Sequence, residues 1–281
     1  MVASLIISCF PRTQSLYRHE TTHRRAVLSY VLLVIAIPGC ERPTPGDPDV
    51  GPGGRQQHLA LSPRQELATG RRVYQQVLDE FRGKILVDDS SESRRVDVVI
   101  NRLAQATEIE PLQREILLRV RGYRFEWEWH VIREPQVNAF CLPAGKMVVF
   151  TAILPIAEND DQLATVLGHE MAHALAHHAS ERVAREQSGA NILRSLSYDR
   201  MQESEADHIG LFLMTFSGYD PEQAVAFWER MHSAAGTHGK PPEFLSDHPS
   251  DEHRVRDLQE WVPKAKAAKK AFDEGRIASG R

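Results

Sequence analysis

The stretch LGHEMAHALAHH, residues 167–178, places four histidines and one glutamate in an apolar helix pattern that begins near Glu158. His169, Glu170 and His173 form the pattern HExxH. Side chains four residues apart on a helix share one face, about 6 Å apart along the axis, so both imidazoles can reach one metal ion at about 2.0–2.1 Å. Glu170 lies beside them and can accept a proton from an attacking water. The stretch therefore predicts a helix that carries part of a metal site.

The motif fixes only three residues and can match by chance, so it needs a third ligand. A histidine six residues after the second, preceded by a glycine hinge, is one known arrangement, but Ala179 and Ala176 occupy those two positions. His177 lies eight residues after His169, a rise of about 12 Å on a continuous helix, which is too far for both to bind one ion. We therefore expect His177 and His178 to be solvated or to lie around the site without binding metal.

A carboxylate from a separate helix is the remaining scheme, and QESEADHIGLFLM, residues 202–214, offers one. Glu203 and Asp207 are four residues apart and share a helix face, whereas Glu205 points elsewhere. Glu203 is the predicted third ligand, and Asp207 is placed to accept the Nδ1 hydrogen of a ligand histidine. An acidic, solvated turn is the alternative. His208 is predicted to lie at the surface or to pack against neighbours.

The patterns around these motifs predict an α+β fold that is mainly helical. FEWEWHVI, residues 125–132, alternates as a half-exposed strand does, and VNAFCLPAGKMVVF, residues 137–150, indicates a strand, a turn and a second strand. We therefore expect a small antiparallel sheet beside the HExxH helix. Apolar periodicity predicts further helices at about 63–81, 96–103, 111–120, 199–216, 221–234 and 250–270.

The amino-terminal region predicts export and a lipid anchor. Arg24 and Arg25 precede an apolar run at residues 26–38, which is too short for a bilayer span of about 20 residues. Ile37-Pro38-Gly39-Cys40 resembles a bacterial lipobox, in which the cysteine becomes the lipidated first residue. An ordinary cleaved signal or a buried apolar segment is the alternative. Glu41, where an aspartate would retain the protein in the inner membrane, favours the outer membrane.

These signals divide the chain into four parts. Residues 1–39 are the predicted signal peptide, 40–61 the lipidated Cys40 and a flexible Pro- and Gly-rich tether, 62–270 the metal-binding domain, and 271–281 a tail. Removing residues 1–39 leaves 30 basic and 37 acidic residues, a net charge of −7. This balance, without a basic aromatic patch, argues against nucleic-acid binding.

Taken together, the motifs resemble the HtpX and CAAX-prenyl-protease-like (Ste24-type) family of zinc metallopeptidases, and in particular its lipoprotein and periplasmic members of the LoiP and BepA type. The match covers roughly residues 62–262. The residues that carry it are Asn138-Ala139-Phe140, Pro143, Gly145, HEMAH at 169–173, ESEAD at 203–207 followed by Ile209-Gly210-Leu211, His248-Pro249 and Arg254.

The resemblance implies a gluzincin-type endopeptidase with one zinc ion per chain and polypeptide substrates, namely unfolded or misassembled envelope proteins. It implies that the zinc ligands are His169, His173 and Glu203, that Glu170 is the general base, and that Asp207 orients a ligand. His248 would stabilise the developing oxyanion or, in a latent state, take the open coordination position. Arg254 would brace that region. An extended substrate would add to an edge strand made of Lys146, Met147, Val148, Val149 and Phe150.

The chain departs from the family in three places. Asp247 stands where Ser or Thr is frequent, Ala144 stands where Gly is usual, and only residues 174–202 separate His173 from Glu203. The short segment puts the range of substrates in question without removing a ligand. The competing hypothesis is a non-proteolytic lipoprotein that uses the same cleft as a binding or chaperone module, with the zinc structural or with His248 permanently blocking the cleft.

Overall fold

The structure, a computed structural model, describes residues 49–50, 56–116, 118, 122–187, 200–237, 243–248 and 253–276. All of them belong to one compact unit. The helices, numbered in chain order, are α1 (Pro63–Glu80), α2 (Ser91–Thr107), α3 (Glu110–Glu115), α4 (Asp160–Leu175), α5 (His178–Gln187), α6 (Arg200–Phe216), α7 (Glu222–Thr237), α8 (Glu243–Asp247) and α9 (His253–Asp273). The strands are β1 (Asp49–Val50), β2 (Gln56–Gln57), β3 (Glu128–Ile132), β4 (Ala139–Leu142) and β5 (Lys146–Phe150).

Helix α4 is the central element of the core. Its first turn is capped by Asn159, whose side chain accepts a hydrogen bond of 2.9 Å from the backbone nitrogen of Gln162. Every residue from Gln162 to Leu175 is buried. The helix ends at Leu175, and His177 adopts a positive φ of 56° before α5 begins. His177 therefore does not lie on the HExxH helix, contrary to the continuous helix that the sequence suggested.

Helices α4 and α6 cross at two glycines. A Cβ atom on Gly210 would lie 2.9 Å from the backbone nitrogen of His169, and one on Gly168 would lie 3.2 Å from the carbonyl oxygen of Gly210. A side chain at Gly210 would force the two backbones apart, and one at Gly168 would make a tight contact. The two backbones are therefore in direct contact within one residue of the first histidine of the motif.

The sheet corrects two expectations. Its strand order is β3-β5-β4, in which β3 and β5 are parallel and β4 and β5 are antiparallel. The sheet is therefore mixed and not antiparallel throughout. The predicted edge strand was made of Lys146, Met147, Val148, Val149 and Phe150. That prediction is wrong, because these residues form β5, which is central and buried. The strand-turn-strand at 137–150 was predicted correctly, but alternation within β3 carries no information on which strand it joins. The edge strand that contacts α4 is β4.

The turn between β4 and β5 requires a left-handed backbone. Ala144 and Gly145 have φ angles of 63° and 88°. Only glycine adopts this conformation without steric cost, so Ala144 carries a local strain that glycine would relieve.

The end of the predicted flexible tether, residues 40–61, packs against the folded domain. Gln57 is fully buried, and its side-chain amide donates to the carbonyl oxygen of Ala176 at 2.5 Å. The backbone nitrogen of Ala60 bonds the carbonyl oxygen of Ser180 at 3.3 Å. Residues 56–61 therefore dock onto the α4–α5 junction. The predicted signal peptide, Cys40 and most of the tether lie outside the described residues, as do the last residues of the predicted tail.

Among the described residues, no helix is both long enough and apolar enough to cross a bilayer.

Replacing Gly210 with alanine tests the helix crossing. The new methyl group would meet backbone atoms of α4, which must move apart from α6, so we expect the free energy of unfolding to fall by about 1–3 kcal/mol. Chemical denaturation of the metal-free protein measures this change. Gly83→Ala is the matched control, because a Cβ there meets nothing within 4 Å. Equal stability of the two variants would contradict the close crossing.

Candidate metal centre

Three elements supply the side chains of a buried polar cluster. Helix α4 contributes His169, Glu170 and His173, helix α6 contributes Glu203, and His248 follows α8. All five are 1–3% exposed. Burying so many polar and ionisable groups costs free energy unless they bind one another or a cation, which marks the cluster as a functional site.

The two HExxH histidines and Glu203 converge on one point. The Nε2 atoms of His169 and His173 are 3.1 Å apart. The Glu203 oxygens lie 3.4 Å from the first of these atoms and 3.5 Å from the second. A tetrahedral zinc site with bonds of about 2.0–2.1 Å has ligand atoms about 3.3–3.4 Å apart. The spacing and the N, N, O donor set therefore fit zinc.

His248 occupies the fourth corner of the cluster. Its Nδ1 atom lies 3.2 Å from Nε2 of His169 and 3.1 Å from Oε1 of Glu203. The ligand atoms of His169, His173, Glu203 and His248 all lie within 4.8 Å of one another. The other ring nitrogen of His248 is 3.3 Å from Oε1 of Glu170. His248 therefore stands between the motif histidines and the predicted general base.

Asp207 orients the first ligand. Its Oδ1 accepts a hydrogen bond of 2.9 Å from Nδ1 of His169, so that Nε2 faces Glu203. Burial acts to lower the pKa of His169, but the hydrogen bonds to Asp207 and Glu203 outweigh burial and raise it. Burial also lowers the pKa of His173 well below its usual value. A neutral His173 is the form that binds a metal ion.

Arg254 joins two of the carboxylates of α6, those of Glu203 and Asp207. Its Nη2 donates to Glu203 at 2.6 Å and its Nε donates to Asp207 at 2.5 Å. The guanidinium carbon lies 3.8 Å above the ring centroid of Trp228. Burial would lower the pKa of Arg254, but the charges of Asp207 and Glu203 raise it. The cluster holds the buried carboxylates of Glu170, Glu203 and Asp207, and Arg254 pairs with the last two, so the local charge favours a cation.

His177 and His178 were expected to be solvated or to lie around the site without binding metal, and both are buried, so the solvated alternative is wrong. His177 binds Glu66 through Nδ1 at 2.9 Å and stacks on Tyr123 with ring centroids 3.7 Å apart. His178 lies within hydrogen-bond distance of His173 and of Glu205, the acidic residue that was expected to point away from the site. The break after Leu175 brings them there, and no glycine or proline in the sequence signals that break.

His208 and Cys141 both lie among packed neighbours. His208 packs against Phe212 and Trp261, as expected for a packing role. Cys141 on β4 is buried, and burial followed by the negative charge of Glu170 raises the pKa of its thiol. Strand β4 therefore runs beside the predicted general base.

The helix-borne HExxH motif, the carboxylate from a second helix and the small adjoining sheet define a metallopeptidase site of the gluzincin type. The expected α+β fold is thereby confirmed, apart from the strand order and direction. The profile described as "Peptidase family M48" matches residues 91–194 and 185–262. The chain belongs to peptidase family M48, which supports zinc as the ion that the cluster binds.

Three relatives illustrate the relationship. The mitochondrial metalloendopeptidase OMA1 of Schizosaccharomyces pombe is 35% identical over 222 residues, covering 72% of this chain and 62% of the relative. Its Saccharomyces cerevisiae counterpart is 31% identical over 237 residues, covering 75% and 68%. The β-barrel assembly-enhancing protease of Escherichia coli is 25% identical over 182 residues, covering 54% and 37%. The chain thus spans about 62% of the S. pombe protein's length.

Arg254→Met tests the charge balance of the centre. Removing the guanidinium leaves Glu203 and Asp207 buried without their shared partner, so we expect the metal-free protein to lose about 3–5 kcal/mol of stability. Thermal or denaturant unfolding measures the loss. Arg256→Met, on the exposed face of the same helix, should stay within about 0.5 kcal/mol of the wild type. An undiminished stability of Arg254→Met would show that the ion pairs are not formed as described.

Proposed function

We propose that this protein is a zinc-dependent metalloendopeptidase of family M48. The observation that carries the proposal is the convergence of His169, His173 and Glu203 at tetrahedral spacing, with Glu170 beside them on α4. A purely structural zinc site needs no base next to its ligands, and Glu170 supplies one.

Each side chain of the centre has a separate task. His169, His173 and Glu203 would hold the zinc ion, which when bound polarises the scissile carbonyl and makes water more acidic. Glu170 takes a proton from the attacking water and returns it to the leaving amine. His248, once displaced from the fourth corner, is positioned to donate a hydrogen bond to the developing oxyanion.

Strand β4 is the place where an extended substrate would add. It is an edge strand of the described sheet, it contacts α4, and Cys141 on it lies near Glu170. Main-chain hydrogen bonds to an edge strand recognise backbone more than side chains. This mode suits a peptidase for unfolded or misassembled polypeptides. The substrate strand assigned to residues Lys146–Phe150 is thus replaced by Ala139–Leu142.

The proposed location is the bacterial cell envelope, with the domain facing the periplasm from a lipid anchor at Cys40. The lipobox-like sequence before Cys40 supports an anchor, and Glu41 favours the outer over the inner membrane. One relative is a β-barrel assembly-enhancing protease from E. coli, whereas two others are described as mitochondrial. The lipobox-like sequence before Cys40 favours a bacterial location.

A site that binds proteins without cleaving them is the second candidate, because one observation favours it. His248 fills the corner that water and substrate would need, and its ring stacks on Phe244 with centroids 4.6 Å apart. A site with four protein ligands binds zinc but has no open position for catalysis. In this form the protein would bind other proteins through the cleft without cleaving them.

Cleavage of casein, followed on gels with zinc content measured in parallel, tests the peptidase assignment. We expect the wild type to cleave and Glu170→Gln to retain zinc while losing turnover by at least about a hundredfold, because the base is removed and the ligands remain. Glu203→Ala should instead lose zinc affinity. Undiminished turnover in Glu170→Gln would refute the role of the base.

His248→Ala separates the two candidates. If the wild type binds zinc and cleaves nothing while His248→Ala cleaves casein, the site is a latent peptidase. If both bind zinc and neither cleaves a panel of unfolded proteins, the binding-only candidate replaces the peptidase.

Replacing Cys40 with serine tests the anchor. In a bacterial host fed labelled palmitate, the wild type should incorporate the label and sediment with membranes, and Cys40→Ser should do neither, because the thiol that receives the lipid is absent. Cys141→Ser is the control and should keep the label, since its thiol is buried. A wild type without label would exclude the lipid anchor.

A further inference from the structure

His178 and Glu205 form a connected pair behind the second zinc ligand. The Nδ1 atom of His178 is 2.8 Å from Nδ1 of His173, and its Nε2 atom is 2.8 Å from Oε2 of Glu205. His178 is fully buried, and its ring makes an interplanar angle of 70° with that of His173. We propose that His178 and Glu205 are positioning residues that fix the tautomer and orientation of His173 as a metal ligand. The proposal rests on the zinc site of the proposed function.

The direction of the hydrogen bonds follows from their chemistry. A carboxylate accepts and does not donate, so the hydrogen between Glu205 and His178 is carried by Nε2 of His178. A neutral imidazole carries one ring hydrogen, so Nδ1 of His178 is then an acceptor. The hydrogen in the bond between the two histidines therefore belongs to Nδ1 of His173. Nε2 of His173 keeps its lone pair, and this is the atom that faces Glu203 and His169.

The two zinc histidines are thus oriented in two different ways. His169 donates directly to the carboxylate of Asp207 at 2.9 Å, whereas His173 reaches the carboxylate of Glu205 through one intervening imidazole. Both carboxylates come from α6, which also supplies Glu203. One helix therefore provides a ligand and the acceptors that set both histidine tautomers.

The break between α4 and α5 makes this second connection possible. The positive φ of His177 turns the chain back, so that His178 opens α5 beside the ring of His173. Two long-range contacts hold this turn, one from Gln57 to the carbonyl oxygen of Ala176 and one from Glu66 to His177. Buried hydrogen bonds thus hold the turn that locates His178, and a residue that only fills space would not require them.

Zinc affinity separates a positioning role from a packing role. Asparagine and leucine have similar size and shape, but only asparagine offers an acceptor near the place of the histidine Nδ1 atom. We expect His178→Leu to weaken zinc binding about 10–100-fold, and His178→Asn to recover part of that loss. Competition with a chromophoric chelator, using the full folded domain, measures the affinity without reference to catalysis. Unfolding of the metal-free variants reports the packing contribution separately.

Glu205 provides a second pair in case His178→Leu does not fold. The amide oxygen of glutamine can still accept from Nε2 of His178, whereas leucine cannot, so Glu205→Gln should bind zinc more tightly than Glu205→Leu. His208→Leu is the control, because the His208 ring packs on Phe212 and Trp261, and it should bind zinc as the wild type does.

The outcomes are distinct. The proposal is supported if the wild type binds zinc most tightly, His178→Asn less tightly and His178→Leu least, and if Glu205→Gln binds zinc more tightly than Glu205→Leu. This holds even if no variant cleaves casein, in which case only the peptidase assignment fails. Equal affinities within each pair, or wild-type affinity in His178→Leu or Glu205→Leu, overturn the proposal. A wild type that binds no zinc overturns both.

Discussion

The backbone contact between Gly168 and Gly210 sets the geometry of the centre. One helix can present two histidines to an ion, but its own side chains cannot enclose that ion, so a second helix must come close. At this crossing, a Cβ on Gly210 would lie within 2.9 Å of the nitrogen of His169. The remaining features, from the carboxylate of Glu203 to the acceptor of Asp207, depend on that approach, because they extend from α6 by side chains of fixed length.

Burial sets the second constraint. Carboxylates and imidazoles that are almost wholly removed from water are stable only if they are paired, and the cluster is accordingly a network of hydrogen bonds and ion pairs. Arg254 neutralises and separates Glu203 and Asp207, and its stacking on Trp228 removes it from water as well. The same network holds His248 at the fourth corner of the cluster. The same buried charges that favour a cation therefore also bind His248 at the fourth corner.

The sequence predicted the parts of the site that depend on local periodicity. The i, i+4 spacing of His169 and His173, and of Glu203 and Asp207, is a property of a helix, and the structure brings these residues together. The sequence left open whether His178 is solvated or lies beside the site, and it wrongly directed Glu205 elsewhere, because the contact between the two depends on the positive φ of His177, which no glycine or proline indicates. The order of the strands was missed because the alternation of residues 125–132 determines which side chains are buried and not which strand is its neighbour. Long-range pairing depends on the whole fold, so local patterns could not supply it.

The position of the metal is the most direct test of this account. Diffraction from zinc-loaded crystals, collected on both sides of the zinc absorption edge, would locate the ion without assumptions about activity. The account predicts one zinc ion per chain, bound by Nε2 of His169, Nε2 of His173 and a carboxylate oxygen of Glu203. Zinc bound elsewhere, or bound without Glu203, would contradict it.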